Sequence, residues 1–94
     1  MLEAFGAGNA NPDVVGEVAD CVRAGVVVVV VSRCAAGPVA PIYGVGGGHD
    51  LAAAGAVFGG TLRAPKARLL LAAALAAGGD RDEVVARLHP HVEV

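Results

Sequence analysis

The sequence lacks an excess of positive charge and has very few aromatic residues. Its 94 residues include seven Lys and Arg against nine Asp and Glu, which gives a formal net charge of −2. Without a basic excess to neutralise phosphates, the composition argues against a nucleic-acid-binding protein. Apolar residues make up 55% of the chain and charged residues 17%, which excludes intrinsic disorder. Because Phe5, Tyr43 and Phe58 are the only aromatic residues, Val, Leu and Ala must fill the core of what we expect to be one domain spanning residues 1–94.

Long apolar segments, a signal peptide and closely spaced cysteines are also missing. The valine run at 26–31 is far shorter than the roughly 20 residues of a membrane span, so no membrane association is expected. The first residues lack the basic and apolar regions of a secretory signal. We interpret Cys21 and Cys34 as buried free thiols and expect a cytoplasmic protein. Since no C-x-x-C pair occurs, neither a metal site nor another cofactor is predicted.

The valine run decides the expected fold class. Six consecutive valines do not form a half-exposed strand, because every second side chain would face water. The run instead predicts a strand buried on both faces, which is typical of a parallel sheet between helices. We therefore predict an α/β fold with a small parallel sheet of about three strands flanked by helices. The predicted strands cover residues 2–5, 26–31 and 56–58, and the predicted helices cover 12–24, 51–54, 66–77 and 80–89, with 91–94 as a loose tail.

Capping residues set the predicted helix boundaries. Asn11 followed by Pro12 indicates a helix start, because the Asn side chain can accept from a free backbone N–H and Pro tolerates the first helical position. Asp50 is expected to cap the short helix, and Ala64 is expected to be a poor cap for the helix that Pro65 starts. The final helix begins at a capping-box-like Asp80, and Pro90 is expected to end it.

Two polar loops follow predicted parallel strands, and this gives them functional weight. Ligands of open parallel sheets bind at the carboxyl ends of the strands. Residues 6–11 and 32–37 should therefore open side by side on one edge of the sheet. Asn9 and Asn11 lie in the first loop, where an amide could either serve turn and cap chemistry or recognise a polar substrate group.

Two other chemistries fit the residues less well. The glycine pattern that begins at Gly6 lacks the third glycine of the dinucleotide-binding fingerprint. A small nucleotide-binding domain is therefore kept only as an alternative function. Cys34 follows Arg33 at the end of a predicted strand, but no histidine can be placed beside this thiol to make a nucleophile pair. We therefore predict no catalytic residue within the chain.

Several segments in this order resemble the C-terminal domain of bacterial L-asparaginases, in the asparaginase/glutaminase family. The resemblance runs from about residue 2 to residue 88. The segments that carry it are Gly-Asn-Ala-Asn at 8–11, the valines at 26–31, Ser-Arg-Cys-Ala-Ala-Gly-Pro at 32–38, Leu-Ala-Ala-Ala-Gly at 51–55, and Gly-Thr-Leu-x-x-Pro-Lys-Ala-Arg at 60–68. It implies a Rossmann- or flavodoxin-like domain that lacks the first strand and helix of the family's C-terminal domain.

The resemblance also implies a division of labour in the hydrolysis of L-asparagine to aspartate and ammonia. The threonine nucleophile of the family belongs to an N-terminal domain, so this chain alone is expected to be inactive. In the family the C-terminal domain completes the site of a neighbouring subunit in an intimate dimer. Asn11 matches the family's substrate-site asparagine, whereas the family's acidic loop residue has no clear counterpart. The side chains that could occupy the same region are Asn9, Tyr43, His49 and Asp50.

The expected partners are an N-terminal asparaginase domain, L-asparagine and further copies of the chain. A sheet without the family's first strand would leave an edge uncovered, which favours a homo-oligomer. Preference for asparagine over glutamine stays open. The alternative is a non-catalytic module of the same fold that binds a small ligand or dimerises.

Overall fold

A three-stranded parallel sheet forms the centre of the protein, as a computed structural model that describes residues 1–92 shows. In chain order the elements are β1 (Leu2–Ala4), α1 (Pro12–Arg23), β2 (Val29–Ser32), α2 (Gly48–Ala53), β3 (Val57–Phe58), α3 (Ala64–Ala76) and α4 (Arg81–Val92). The strand order is β1-β2-β3, with Leu2 opposite Val30 and Phe58 opposite the same valine on the other side. The predicted α/β fold with a small parallel sheet between helices is confirmed.

Strand β2 lies in the middle of the sheet, and β2 together with the preceding Val28 sends alternate side chains to two separate hydrophobic clusters. Val29 and Val31 pack with buried residues of α3 and α4, while Val28 and Val30 pack on the other face with residues of α1 and α2. Val30 and Val31 are completely buried. This alternation is the period-2 geometry of a strand, and it explains why an unbroken apolar run was needed to fill both faces.

The valine run was predicted as a strand over 26–31, but the strand begins three residues later. Val26 is 49% exposed because the chain is still leaving helix α1 through Gly25, whose φ is +88°. Val27 and Val28 are already buried before regular pairing begins at Val29. The composition of the run therefore predicted its burial better than its boundaries.

The capping interpretation is confirmed at α1 and α4. The Asn11 side chain accepts from the backbone N–H of Val14 at 2.9 Å, with Pro12 in the first turn. At α4, the Glu83 backbone N–H donates to the Asp80 carboxylate at 2.9 Å. The Glu83 carboxylate in turn accepts from the Asp80 backbone N–H at 3.4 Å. This reciprocal pair is a capping box with Asp in the cap position.

The predicted caps of α2 and α3 were wrong by one to three residues. Helix α2 begins at Gly48 behind the cap residue Gly47, so Asp50 lies inside its first turn. Its carboxylate reaches back to the N–H of Gly46 at 2.7 Å, which keeps the capping chemistry although the position differs. Helix α3 begins at Ala64, and its cap residue is Arg63, which has no capping side-chain bond.

Pro90 does not end the last helix as predicted, since α4 continues to Val92. Proline removes one backbone hydrogen bond, but Leu88 and Val92 are both buried in the cluster on this face of the sheet. Packing of these two side chains holds the final turn. Part of the expected tail at 91–94 is therefore helical, and residues 93–94 lie outside the described residues.

Both cysteines differ from the expectation of buried thiols. Cys21 and Cys34 are free and exposed. Within residues 1–92, no helix combines the length and hydropathy that crossing a bilayer requires.

Candidate functional site

The segment after β1 folds back on itself at the carboxyl edge of the sheet. The N–H groups of Phe5 and Asn9 donate to each other's carbonyl oxygens, both at 2.8 Å. Between them, Gly8 takes a φ of +110°, and a Cβ there would lie 3.0 Å from the Phe58 ring of β3. This close packing fixes the segment at residues 5–11, called the Asn turn below, against the sheet.

Ser32 joins the Asn turn to the loop that follows β2. Its hydroxyl donates to the Gly6 carbonyl at 2.5 Å and accepts from the Cys34 N–H at 3.0 Å. Ser32 is 4% exposed and is the buried polar residue at the end of the central strand. The two loops therefore lie side by side on the same edge, as the parallel strand order predicted.

Asn9 joins the Asn turn to a second segment, residues 43–50, which runs into the first turn of α2 and is called the glycine loop below. Its side-chain oxygen accepts from the buried N–H of Gly48 at 3.2 Å, and the Ala10 N–H donates to the Gly46 carbonyl at 3.0 Å. A Cβ at Gly46 would lie 2.7 Å from Pro12, and a Cβ at Gly47 would lie 2.9 Å from the Asn9 oxygen. Only glycine permits this backbone-to-backbone contact.

The structure brings the weaker candidate residues together in the glycine loop. The Tyr43 carbonyl accepts from the His49 N–H at 2.9 Å, and the Tyr43 side chain is 60% exposed. His49 Nδ1 lies 3.7 Å from the Asp50 carboxylate, and both side chains are accessible to solvent. The other carboxylate oxygen of Asp50 accepts from the Gly46 N–H. Asp50 therefore stabilises the loop and also carries a negative charge there.

Asn11 lies where the Asn turn enters helix α1, and it is exposed. Its side-chain oxygen is occupied by the Val14 N–H, whereas its amide NH₂ donates to no group among residues 1–92. An Asn amide carries two donors, so the cap uses only its acceptor. Turn chemistry and recognition are therefore compatible in this one side chain.

Arg33 brings a positive charge to the Asn turn. Its guanidinium carbon lies 4.9 Å from the centroid of the exposed Phe5 ring, which is a cation–π distance. No group of three or more His, Cys, Asp or Glu side chains that could hold a metal ion occurs in the part of the chain that the structure describes. The edge thus offers an amide donor, a guanidinium, a carboxylate and exposed rings.

Nucleophilic chemistry finds little support at this edge. Thr61 is the only threonine of the sequence; it is exposed, and its carbonyl accepts from the Arg63 guanidinium. A hydroxyl nucleophile needs an activating base within hydrogen-bond reach. No hydrogen bond from the Thr61 hydroxyl to such a base is found in residues 1–92.

Two residues that shape the site were missed by sequence reasoning. Ser32 ends an all-valine strand, and a polar residue at that place signals a hydrogen-bonding role. Arg63 occupies a helix cap position where Ser, Thr, Asp or Asn is usual, and such a departure points to another task. Its bonds run to Cys34, Gly37 and Thr61.

The family model for the glutaminase/asparaginase C-terminal domain matches residues 1–88. The chain belongs to this family. The chain is similar to a protein named probable L-asparaginase from Deinococcus radiodurans, with 39% identity over 85 residues. That match covers 89% of this chain and 26% of the relative.

A solved structure supports the same assignment of this asparaginase C-terminal domain. It is similar to the crystal structure of L-asparaginase I from Vibrio cholerae, with a TM-score of 0.83 and 29% identity. The match covers 99% of this chain and 30% of the chain in that structure. The domain therefore spans about a quarter to a third of the length of these relatives.

Proposed function

We propose that this domain completes the substrate site of an L-asparaginase-like amidohydrolase, in which an N-terminal domain supplies the threonine nucleophile. The observation that carries the proposal is the Asn11 side chain, whose amide NH₂ stays free to donate while its oxygen caps α1. Its donors would meet an acceptor oxygen of L-asparagine at the mouth of the site. The chain alone releases no ammonia from asparagine.

The position of Asn11 supports a binding role. It is the last residue of the Asn turn, which is tied to β2 through Ser32 and to the glycine loop through Asn9. A donor held by such contacts loses little conformational freedom when a ligand binds, which favours affinity. Tyr43, His49 and Asp50 are the further candidates for substrate contact, because they lie in the loop that Asn9 holds.

Exposed apolar side chains in these loops and directly before the glycine loop support an assembly with a protein partner. Phe5, Ile42 and Tyr43 are each about 60% exposed, and Val45 is 91% exposed. Exposed apolar surface of this kind is typical of protein contact sites. We assign these side chains to contacts with the catalytic domain and a second subunit in a homo-oligomer.

The two exposed free thiols favour a reducing compartment. We therefore place the protein in the cytoplasm.

Reconstitution tests the division of labour. The 94-residue chain is combined with the N-terminal domain of an L-asparaginase, and ammonia release is measured with L-asparagine and with L-glutamine. We expect no release from either part alone and release from the mixture. Turnover of asparagine by the chain alone would contradict the proposal. Self-association without ammonia release in any mixture would favour the alternative, a dimerisation module of the same fold.

Substitution of Asn11 tests its role in the reconstituted enzyme. Asn11→Ala should lower kcat/KM by roughly 10- to 100-fold, the value of a hydrogen bond to a charged or strongly polar group. Asn11→Ser is the matched variant, because Ser keeps the helix cap but lacks the amide donor. It should therefore lose similar activity at nearly unchanged stability. Asn9→Ala should reduce activity less, and equal effects of Asn9→Ala and Asn11→Ala would favour a pure capping role.

A further inference from the structure

The loop after β2, residues 33–37 and called the rim loop below, makes few bonds of its own. All five residues are exposed. Its backbone donates from Arg33 to the Ala4 carbonyl and from Cys34 to the Ser32 hydroxyl, and regular bonding resumes at Val39. Within residues 1–92, the amides of residues 35–37 donate no hydrogen bond. The loop is therefore held in place from outside.

A single guanidinium supplies that restraint. Arg63 donates through Nη1 to the Cys34 carbonyl and through Nη2 to the Gly37 carbonyl, both at 2.6 Å. Nε and Nη2 also reach the Thr61 carbonyl at 3.3 and 3.2 Å, which anchors the guanidinium to its own segment. The two rim-loop carbonyls lie at opposite ends of the loop, so one planar group fixes both ends.

We propose that Arg63 is a positioning residue that preorganises the rim loop at the carboxyl edge of the sheet. The link from loop order to substrate binding rests on the proposed function. The loop begins with Arg33, whose guanidinium stacks on Phe5 beside the Asn turn. By holding the Cys34 carbonyl, Arg63 fixes the backbone that follows directly on Arg33. The rim of the site is thus formed before a ligand arrives.

The chemistry of the contact requires arginine. A guanidinium presents five N–H donors in a rigid plane, so separate nitrogens can serve two carbonyls at once. A lysine ammonium is a compact group on a flexible stem, and it has no fork that spans two acceptors. Lysine at this position would keep the charge and the helix propensity but not the geometry.

NMR relaxation on the 94-residue chain tests this inference without any substrate. Backbone amide order parameters of residues 35–37 in the wild type should lie close to the rigid-backbone value of about 0.85. In Arg63→Ala they should fall below about 0.6, the range of flexible segments. In Arg63→Lys they should fall to nearly the same level, while the order parameters of β2 stay unchanged in both variants.

Arg68→Ala is the matched control, because Arg68 is an exposed arginine on α3 for which residues 1–92 provide no hydrogen-bond partner. It should leave the rim loop as rigid as in the wild type. Order parameters in the Arg63 variants that match the wild type would overturn the inference, as would full rescue by lysine. If Arg63→Ala does not fold, Arg63→Lys and Arg68→Ala decide the question.

A second measurement separates this inference from the proposed function. In the reconstituted enzyme, Arg63→Ala should raise KM for asparagine by roughly 3- to 10-fold with kcat changed less than about 2-fold, because the rim loop lies outside the nucleophile's domain. A fall in kcat at constant KM would overturn the positioning role. If no mixture is active, the proposed function fails while the order parameters still decide the role of Arg63 in the loop.

Discussion

Two loops border the same edge of the sheet, and they are held there in opposite ways. The glycine loop is fixed by close backbone packing, since a Cβ at Gly46 would lie 2.7 Å from Asn11 and Pro12 and a Cβ at Gly48 would lie 2.8 Å from the Ala40 carbonyl oxygen. The rim loop makes almost no such contacts and depends on the two carbonyl bonds from Arg63. Backbone packing distributes the restraint over many atoms, whereas a side-chain clamp concentrates it in one residue. Substitutions at the closely packed glycines of the glycine loop should therefore affect global stability, and loss of Arg63 should affect local order.

The largest expected effect comes from Gly46→Ala. A Cβ at this position would lie 2.7 Å from Pro12, and the φ of +82° is unfavourable for alanine. Overpacking and the left-handed conformation together should lower the free energy of unfolding by about 3 kcal/mol. Urea denaturation followed by circular dichroism measures the change. Gly44→Ala is the control, because nothing lies within 4 Å of its Cβ position, and equal stability of the two variants would refute the packing argument.

A smaller effect is expected from Asn9→Ala. The substitution leaves the buried N–H of Gly48 without its acceptor, which costs about 2 kcal/mol. Asn11→Ala removes only a solvent-exposed helix cap and should cost about 1 kcal/mol. The order of the two stability losses is thus the reverse of the order proposed for activity. Identical unfolding midpoints for both variants would show that Asn9 does not hold the glycine loop.

A loss of stability about as small as that of Asn11→Ala is expected from Ser32→Ala. The hydroxyl links the Gly6 carbonyl to the Cys34 N–H, and its loss should cost about 1 kcal/mol. Ser32→Thr keeps the hydroxyl and is the conservative comparison. Amide hydrogen exchange should show faster exchange at Cys34 in Ser32→Ala, with β1 and α1 unchanged. Equal exchange at Cys34 in the two variants would mean that the hydroxyl does not join the loops.

Much of the fold follows from local sequence signals. The Asn11–Pro12 pair predicted the start of α1, and six valines predicted a strand buried on two faces, because both signals depend on neighbouring residues alone. Pro90 was misjudged because burial of Leu88 and Val92 outweighs the bond that proline removes. Leu88 and Val92 pack in a cluster with residues of β3 and α3, which are distant in the sequence. The residues next to Pro90 therefore do not indicate this packing.

The site was predictable to a different degree. The parallel strand order was sufficient to expect the Asn turn and the rim loop on one edge. The Asn9–Gly48 bond joins residues 39 positions apart, and the Arg63–Cys34 bond joins residues 29 positions apart. Contacts at such separations are set by tertiary structure, so no spacing rule indicates them.

The close approach of Gly46 to Pro12 has a consequence for the length of the chain segment that leads to it. Between Val39, whose N–H donates to the Gly60 carbonyl, and Gly46, both ends are pinned to neighbouring backbone. An inserted residue there would push Gly46 off the first turn of α1. Residues 35–36 of the rim loop are exposed and donate no backbone hydrogen bond within residues 1–92, so an insertion between the two clamped carbonyls can extend into solvent. Natural insertions and engineered grafts should therefore be tolerated at residues 35–36 and rejected at residues 40–45.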